Sequence, residues 1–137
     1  MTPGFIAAIL EAPAVAVATR VLLTFMFWAS GLGLLANFNQ SVEIFGALGF
    51  VYPELVVIAT AATQLIGSAL VISGRYVWLG AGALGVFTFL TILFVHNFWA
   101  MPEGPQQVNS FHTATEHVSV IGALVLVTIF MHRRAAR

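Results

Sequence analysis

The sequence contains no Cys, no Lys and no Asp, and only 7% of its 137 residues are charged. The absence of Cys excludes disulfides, thiolate chemistry and cysteine-ligated zinc or iron–sulfur sites. A soluble domain carries about 25% charged residues, so this chain cannot cover a water-facing surface. The formal net charge is zero, which excludes the basic surface that nucleic acid needs.

Apolar side chains make up 60% of the sequence, and the few charges separate long uncharged runs. The hydrocarbon core of a bilayer, about 30 Å thick, needs roughly 20 helical residues, and unpaired backbone groups are costly in lipid. The sequence therefore predicts a single-domain, all-α integral membrane protein over residues 1–137, with four transmembrane helices in an antiparallel bundle in contact with the lipid bilayer. The predicted spans are residues 17–36, 54–73, 77–97 and 114–132.

The connecting segments carry their own signals. Residues 37–52 have apolar side chains at helical spacing, which predicts a short interfacial helix between spans one and two. Residues 98–112 contain Pro102, Gly104 and Pro105 and are predicted to be an irregular loop. Thr113 and Glu116 have the spacing of a capping box, which predicts that the fourth helix begins there.

The arginines predict the orientation. They fall before span one, between spans two and three, and after span four, whereas the other side of the bilayer has none. By the positive-inside rule both termini are cytoplasmic, in the cytoplasmic (inner) membrane of a bacterium or archaeon. The arginines concerned are Arg20, Arg75, Arg133, Arg134 and Arg137.

Gly80, Gly82 and Gly85 match the dinucleotide-binding pattern G-x-G-x-x-G. No strand precedes them and the chain has no Asp, so the nucleotide interpretation fails on context. Small residues in membrane helices typically mark close helix packing. We therefore expect Gly85→Leu or Gly122→Leu to destabilise the bundle.

Histidines gather at the outer ends of spans three and four. His96 ends span three, while His112, Glu116 and His117 open span four, so an antiparallel arrangement brings them to similar depth. His96, His112 and Glu116 offer ligands for a metal ion. His96 and His117 offer axial haem ligands or hydrogen bonds to a quinone carbonyl. The structural alternative is that Glu116 closes the capping box and the histidines are hydrated interfacial groups.

Two further polar residues are candidates for cofactor binding. Gln64 lies near the middle of span two, where an amide needs a partner from another helix or from a ligand. Arg20 lies about one turn inside the cytoplasmic end, where it either extends to the interface or binds a lipid or quinone headgroup. No catalytic residue can be assigned.

The order and spacing of several motifs, from Arg20 to about Leu126, resemble the DoxX family of small four-helix membrane proteins. The chain departs from that family at three places. Where the family often has a Lys and a Glu, this chain has the neutral residues Leu34 and Gln64. Where the family often has Lys-Asn, this chain has Glu116–His117, which reverses the charge. The motifs are Arg20 with Ala29-Ser-Gly31-Leu-Gly33-Leu-Leu35, Phe45-Gly-Ala-Leu-Gly49-Phe-Val-Tyr-Pro53, Gln64-Leu-Ile-Gly67-Ser-Ala-Leu70, His96-Asn-Phe-Trp99 with Gln106 and Gln107, and Glu116-His-Val-Ser-Val-Ile-Gly122-Ala-Leu124.

The resemblance implies a redox-associated role, because the family is named for subunits of an archaeal thiosulfate:quinone oxidoreductase. One hypothesis is a quinone-proximal subunit or accessory protein of a membrane complex. A second is a non-catalytic scaffold or assembly subunit with a protein partner or a second copy, and a small-solute carrier ranks third. Quinone is the first candidate cofactor, ahead of haem or a metal ion.

Overall fold

The computed structural model describes residues 2–136, and these contain helices and no strand. Arg137, one of the arginines behind the predicted orientation, lies outside the described residues. A 3₁₀ turn, Phe98–Ala100, separates the last two helices. The helices are α1 Gly4–Glu11, α2 Pro13–Leu23, α3 Phe25–Ala36, α4 Phe38–Ala47, α5 Pro53–Ser73, α6 Val77–Phe94 and α7 Pro105–Ala135.

Three helical segments are long and apolar enough to cross a membrane. They are α5, the segment Val77–Ala100 that contains α6, and α7. The pair α1 and α2 passes the same test jointly but is bent by 67° at the break between them. The all-α prediction is confirmed, with three or four apolar segments that could span a bilayer.

Both ends of α5 follow local rules that are visible in the sequence. Pro53 occupies the first turn, where its missing N–H costs little. Gly74 ends the helix with φ of 76°, a left-handed conformation that glycine adopts without steric penalty. Tyr76, two residues later, also has a positive φ of 52° and precedes the first turn of α6.

Helix α7 begins much earlier than predicted. It runs for 31 residues from Pro105, so the expectation of an irregular loop over residues 98–112 is wrong for most of that segment. Pro105 does not break the helix because it occupies the first turn. The Thr113 hydroxyl donates to the Asn109 carbonyl at 3.0 Å inside the helix, so the predicted capping box does not form.

The first predicted span is interrupted. Helix α2 ends at Leu23, Thr24 follows, and α3 begins at Phe25. The Thr24 hydroxyl donates to the Arg20 carbonyl at 2.9 Å, and the Trp28 indole N–H donates to the Val21 carbonyl at 3.2 Å. These bonds satisfy backbone oxygens at the break, which lowers its cost inside an apolar environment.

The segment between α3 and α5 contains the predicted short helix, α4. Two side chains form hydrogen bonds to the backbone of α3 where α4 begins. The Asn37 amide donates to the Gly33 carbonyl at 3.1 Å, and the Ser41 hydroxyl donates to the Leu34 carbonyl at 3.4 Å.

Helix α6 packs between α5 and α7, while α3 packs on α5. Their shared core is apolar and includes Phe27, Val71, Ala81, Leu84 and Leu124. Helix α7 is the least covered of the three long segments, since 11% of its apolar window is buried against 39% for α5. Most of its surface is therefore available to lipid.

Glycines allow close contact at α5 but not at α7. A Cβ added to Gly80 would lie 2.6 Å from the Gly67 carbonyl oxygen, and one added to Gly31 would lie 2.9 Å from Leu65. A Cβ at Gly85 or Gly122 would meet nothing within 4 Å. The expectation that Gly85 and Gly122 mark close packing is therefore wrong.

Candidate functional site

Two histidines meet where α6 ends beside α7. The rings of His96 and His117 have centroids 5.3 Å apart and an interplanar angle of 78°, so the edge of one faces the other. Both side chains are half-buried. The predicted proximity of His96 to a histidine of the last helix is confirmed for His117.

The backbone turn after α6 positions His96. The His96 N–H donates to the Thr91 carbonyl at 2.9 Å, one residue beyond the ordinary helical partner. The His96 carbonyl then accepts from the Phe98 N–H at 2.9 Å, which opens the 3₁₀ turn. His96 thus lies in a short, hydrogen-bonded connection rather than in the body of the helix.

The helical phase of α7 positions His117. Ser110, Ala114 and Leu124 are buried on this helix, and His117 continues the same spacing of three, four and seven residues. Ala114, one turn before His117, is only 3% exposed. The face that packs on α6 therefore carries His117 toward His96.

Two side chains of α7 hold the connecting segment against the helix. The Gln107 amide donates to the carbonyls of Phe98 at 3.2 Å and Met101 at 3.4 Å. The ring of Phe111 contacts that of Phe98 edge-on at 5.1 Å. No role was predicted from the sequence for Gln107, Ser110 or Phe111. Their helical spacing would have placed them on one face of α7 if the start of that helix at Pro105 had been known.

One atom of the pair lacks a partner. The Nδ1 atom of His117 is buried and makes no hydrogen bond within the described residues. An unpaired buried polar atom costs about 1–3 kcal/mol, which a ligand or a water molecule would recover. This atom is the strongest indication that the pair binds something.

The two imidazoles can both donate and accept hydrogen bonds. A neutral imidazole has one N–H donor and one nitrogen acceptor, so two of them offer two of each. Two imidazolium charges at this separation would repel, and burial disfavours them further. The geometry therefore suits a neutral, polar ligand better than an anion held by paired cations.

The other predicted metal ligands are not brought to this pair. His112 and Glu116 are exposed on α7. At 3.6 residues per turn they lie about 140° and 100° around the helix from His117, so they face elsewhere. Within residues 2–136 no group of three or more His, Cys, Asp or Glu residues could hold a metal ion. The set His96, His112 and Glu116 does not fit a metal.

A haem does not fit the pair either. Axial imidazoles hold a haem iron from opposite faces, so the macrocycle lies between the two rings. Here the edge of one ring contacts the other at 5.3 Å between centroids. No gap for a macrocycle exists between His96 and His117.

Arg20 and Gln64 lie away from the histidines. A Cβ added to Gly74, at the far end of α5, would collide with Nη1 of Arg20, so Arg20 lies at the opposite end of α6 from His96. Gln64 is 5% exposed in the middle of α5, beside Gly31. These four cofactor candidates therefore do not form one site.

Comparison with known proteins identifies the family. A DoxX family model matches residues 15–97, more than half of the chain. The chain belongs to the DoxX family. With its three or four apolar helical segments it is a multi-pass membrane protein of that family. No curated protein and no solved structure matches it significantly. The DoxX match includes His96 but ends before His117, so the pair joins a residue inside the matched region to one beyond it.

Proposed function

We propose that this DoxX protein binds the headgroup of a membrane quinone at His96 and His117, as a redox-associated subunit or accessory protein of a membrane complex. The observation that carries the proposal is the buried Nδ1 of His117, which lies beside a second imidazole and has no hydrogen-bond partner in the part of the chain that the structure describes. A quinone presents two carbonyl oxygens, which accept hydrogen bonds from imidazole N–H groups. The reduced form presents hydroxyl groups, which donate to imidazole nitrogen.

The depth of the pair supports a ligand that arrives from the bilayer. His117 precedes Arg133 by 16 residues on α7, a rise of about 24 Å. A hydrocarbon core of about 30 Å that begins at Arg133 would contain His117 near its far boundary. A lipid quinone reaches that depth from within the bilayer.

When bound, a quinone supplies the capacity to carry two electrons and two protons. His96 and His117 would orient its headgroup and hold or release a proton at the imidazole nitrogens. The sequence has no Cys, so a cysteine-ligated iron–sulfur cluster or a redox disulfide that exchanges electrons with the quinone would have to be carried by a partner protein.

The proposed topology has four spans, with α2 and α3 together forming the first. Arg20 lies beside Gly74 at the end of α5, while Gly31 lies beside Gln64 and Leu65 near its middle. The α2–α3 segment therefore runs antiparallel to α5 and returns the chain across the same thickness. Four crossings would put all described arginines on the cytoplasmic side of an inner membrane.

Reporter fusions test the orientation of this topology. A reporter inserted after Arg75 and one fused after Arg137 should both report the cytoplasm, and one near Glu103 should report the outside. A periplasmic signal from the C-terminal fusion would contradict the proposed orientation, without bearing on the quinone proposal.

Quenching of tryptophan fluorescence by a short-chain quinone tests the function. Trp99 lies three residues from His96, so a quinone at the pair should quench it, and Trp99→Phe should remove most of that signal. His117→Leu should weaken binding about five- to tenfold, the value of one hydrogen bond. The matched control is His112→Leu, an exposed histidine on the same helix, which should leave the affinity unchanged.

Two outcomes would contradict the proposal. Either saturable binding is absent from the folded wild-type protein, or His112→Leu and His117→Leu weaken it equally. The first outcome would favour the non-catalytic scaffold, which needs protein contacts and no quinone.

A further inference from the structure

A cavity of about 430 Å³ lies at the opposite end of α6 from the histidine pair. It joins the α5–α6 turn to the last turn of α7, and its lining includes Gly74, Tyr76, Trp78, His132 and Arg134. We propose that this Gly74 cavity binds the phosphate group of an anionic phospholipid. The proposal is independent of quinone binding.

Two guanidinium groups supply the positive charge. Arg134 lines the cavity directly. Arg20 lies behind Gly74, where its Nη1 occupies the space that a side chain at that position would need. Its Nε–H donates to the Ala16 carbonyl at 3.0 Å, which fixes the group in place. Arginine is the side chain best suited to phosphate, because its planar fork donates two parallel hydrogen bonds.

An adjoining apolar groove favours a lipid over free phosphate. A groove of about 450 Å³ runs along α6 and α7, and it shares Trp78 and Thr128 with the Gly74 cavity. Gly82 and Gly85 line it, and neither has a neighbour within 4 Å of an added Cβ. A lipid would place its headgroup in the cavity and an acyl chain in the groove, whereas inorganic phosphate would use only the first.

The backbone at Tyr76 is strained in a way that fits a binding role. Tyr76 is the only residue other than glycine with a positive φ among residues 2–136. Non-glycine residues adopt this conformation at a steric cost, and such residues cluster at ligand-binding sites. The conformation directs the chain from Gly74 into α6, and Tyr76 lines the cavity.

One carboxylate lies nearby but does not cancel the positive charge. Glu11 lines a neighbouring cavity together with Arg133 and Arg134. Two guanidinium groups therefore line that cavity with one carboxylate, and Arg20, beside Gly74, adds a third cation. Anionic headgroups are attracted to such a surface, by an amount that salt reduces.

Native mass spectrometry of the detergent-solubilised protein tests the proposal. Dioctanoyl phosphatidylglycerol should bind at one saturable site at least about tenfold more tightly than dioctanoyl phosphatidylcholine, because both lipids carry the phosphodiester but the arginines repel the choline cation of phosphatidylcholine. Inorganic phosphate should bind more weakly than phosphatidylglycerol. Equal binding of the two lipids, or phosphate binding as tight as the lipid, would overturn the assignment.

Variants separate this cavity from a diffuse basic surface. Arg134→Gln should weaken phosphatidylglycerol binding about tenfold. Arg75→Gln removes the same charge from an exposed residue of the α5–α6 turn. Arg75 does not line the cavity, so this variant should change binding less than twofold. Equal losses in the two variants would contradict a defined site.

Tyr76→Gly separates binding from stability. Glycine relieves the positive-φ strain, so the melting temperature should be unchanged or higher. Loss of the phenol should nevertheless weaken phosphatidylglycerol binding severalfold. Undiminished binding in Tyr76→Gly would show that Tyr76 does not contact the lipid and that its positive φ has no role in binding.

Discussion

The two long faces of α6 differ in how closely they are packed. Toward α5, Gly67 and Gly80 bring the backbones together, and an added Cβ at Gly80 would lie 2.6 Å from a carbonyl oxygen. Toward α7, Gly82 and Gly85 line an open groove, with the histidine pair beyond one end and the Gly74 cavity at the other. The comparison teaches that glycine content alone does not identify a packing face, and that both proposed sites use the less tightly packed interface.

The largest expected effect comes from a methyl group at the close interface. Gly80→Ala should lower the free energy of unfolding by about 2–3 kcal/mol, because the neighbouring atoms are backbone and the Cβ of Leu70, which cannot move aside. Gly85→Ala is the matched control on the same helix, and it should be neutral or slightly stabilising. Reversible unfolding in mixed micelles measures both. Equal losses would mean that the two faces of α6 do not differ.

A double-mutant cycle sharpens the interpretation of the open interface. His96→Leu and His117→Leu should each weaken quinone binding, and the double variant should be less affected than the sum of the two by about 1 kcal/mol, because both residues contact one headgroup. Strictly additive losses would indicate two independent effects. His112→Leu combined with His117→Leu should be additive, since His112 lies on another side of α7.

The same histidine substitutions should separate stability from binding. His117→Leu removes a buried nitrogen that has no hydrogen-bond partner among residues 2–136, so the melting temperature should stay constant or rise while binding falls. A purely structural histidine would lose stability and binding together. Thermal unfolding without quinone, followed by unfolding with quinone present, measures the two effects on one preparation.

The smallest expected effect is at the buried side of α5. Gln64 and Ser68 carry side-chain oxygen atoms that are buried without hydrogen bonds among the described residues. Gln64→Leu should therefore stabilise the isolated protein or leave it unchanged, within about 1 kcal/mol. Destabilisation of that size or more would show that the amide has a partner, in a second copy or another subunit, and would strengthen the scaffold hypothesis.

Helix boundaries were predictable where a single residue decides them. Pro53 and Gly74 delimit α5 through local backbone preferences, and both were found in place. Pro105 has two meanings, since it disrupts a helix interior and begins a helix equally well, and only the folded chain distinguishes them. The break at Thr24 could not be predicted from the apolar sequence around it. The bond that stabilises the break, from the Trp28 indole to the Val21 carbonyl, is visible only in the folded chain.

The site was predictable only in part. Antiparallel helices bring the ends of neighbouring spans together, which was enough to pair His96 with a histidine of the last helix. The choice of His117 over His112 depends on the phase of α7 and hence on where that helix begins. Arg20 and Gln64 were predicted as separate cofactor candidates, Arg20 at the opposite end of the bundle from the histidines and Gln64 near the middle of its span, and both positions are found in the structure. The sequence does not show which helix each of these side chains faces.

The central claim is that quinone binds at His96 and His117, and photolabelling tests it most directly. A short-chain azidoquinone irradiated with the purified protein should attach to the peptides that contain these two residues, and unlabelled quinone should suppress the attachment. His117→Leu should reduce the yield at both peptides, while His112→Leu should not. Labelling spread evenly along the lipid-facing helices, or confined to the Gly74 cavity, would contradict the account.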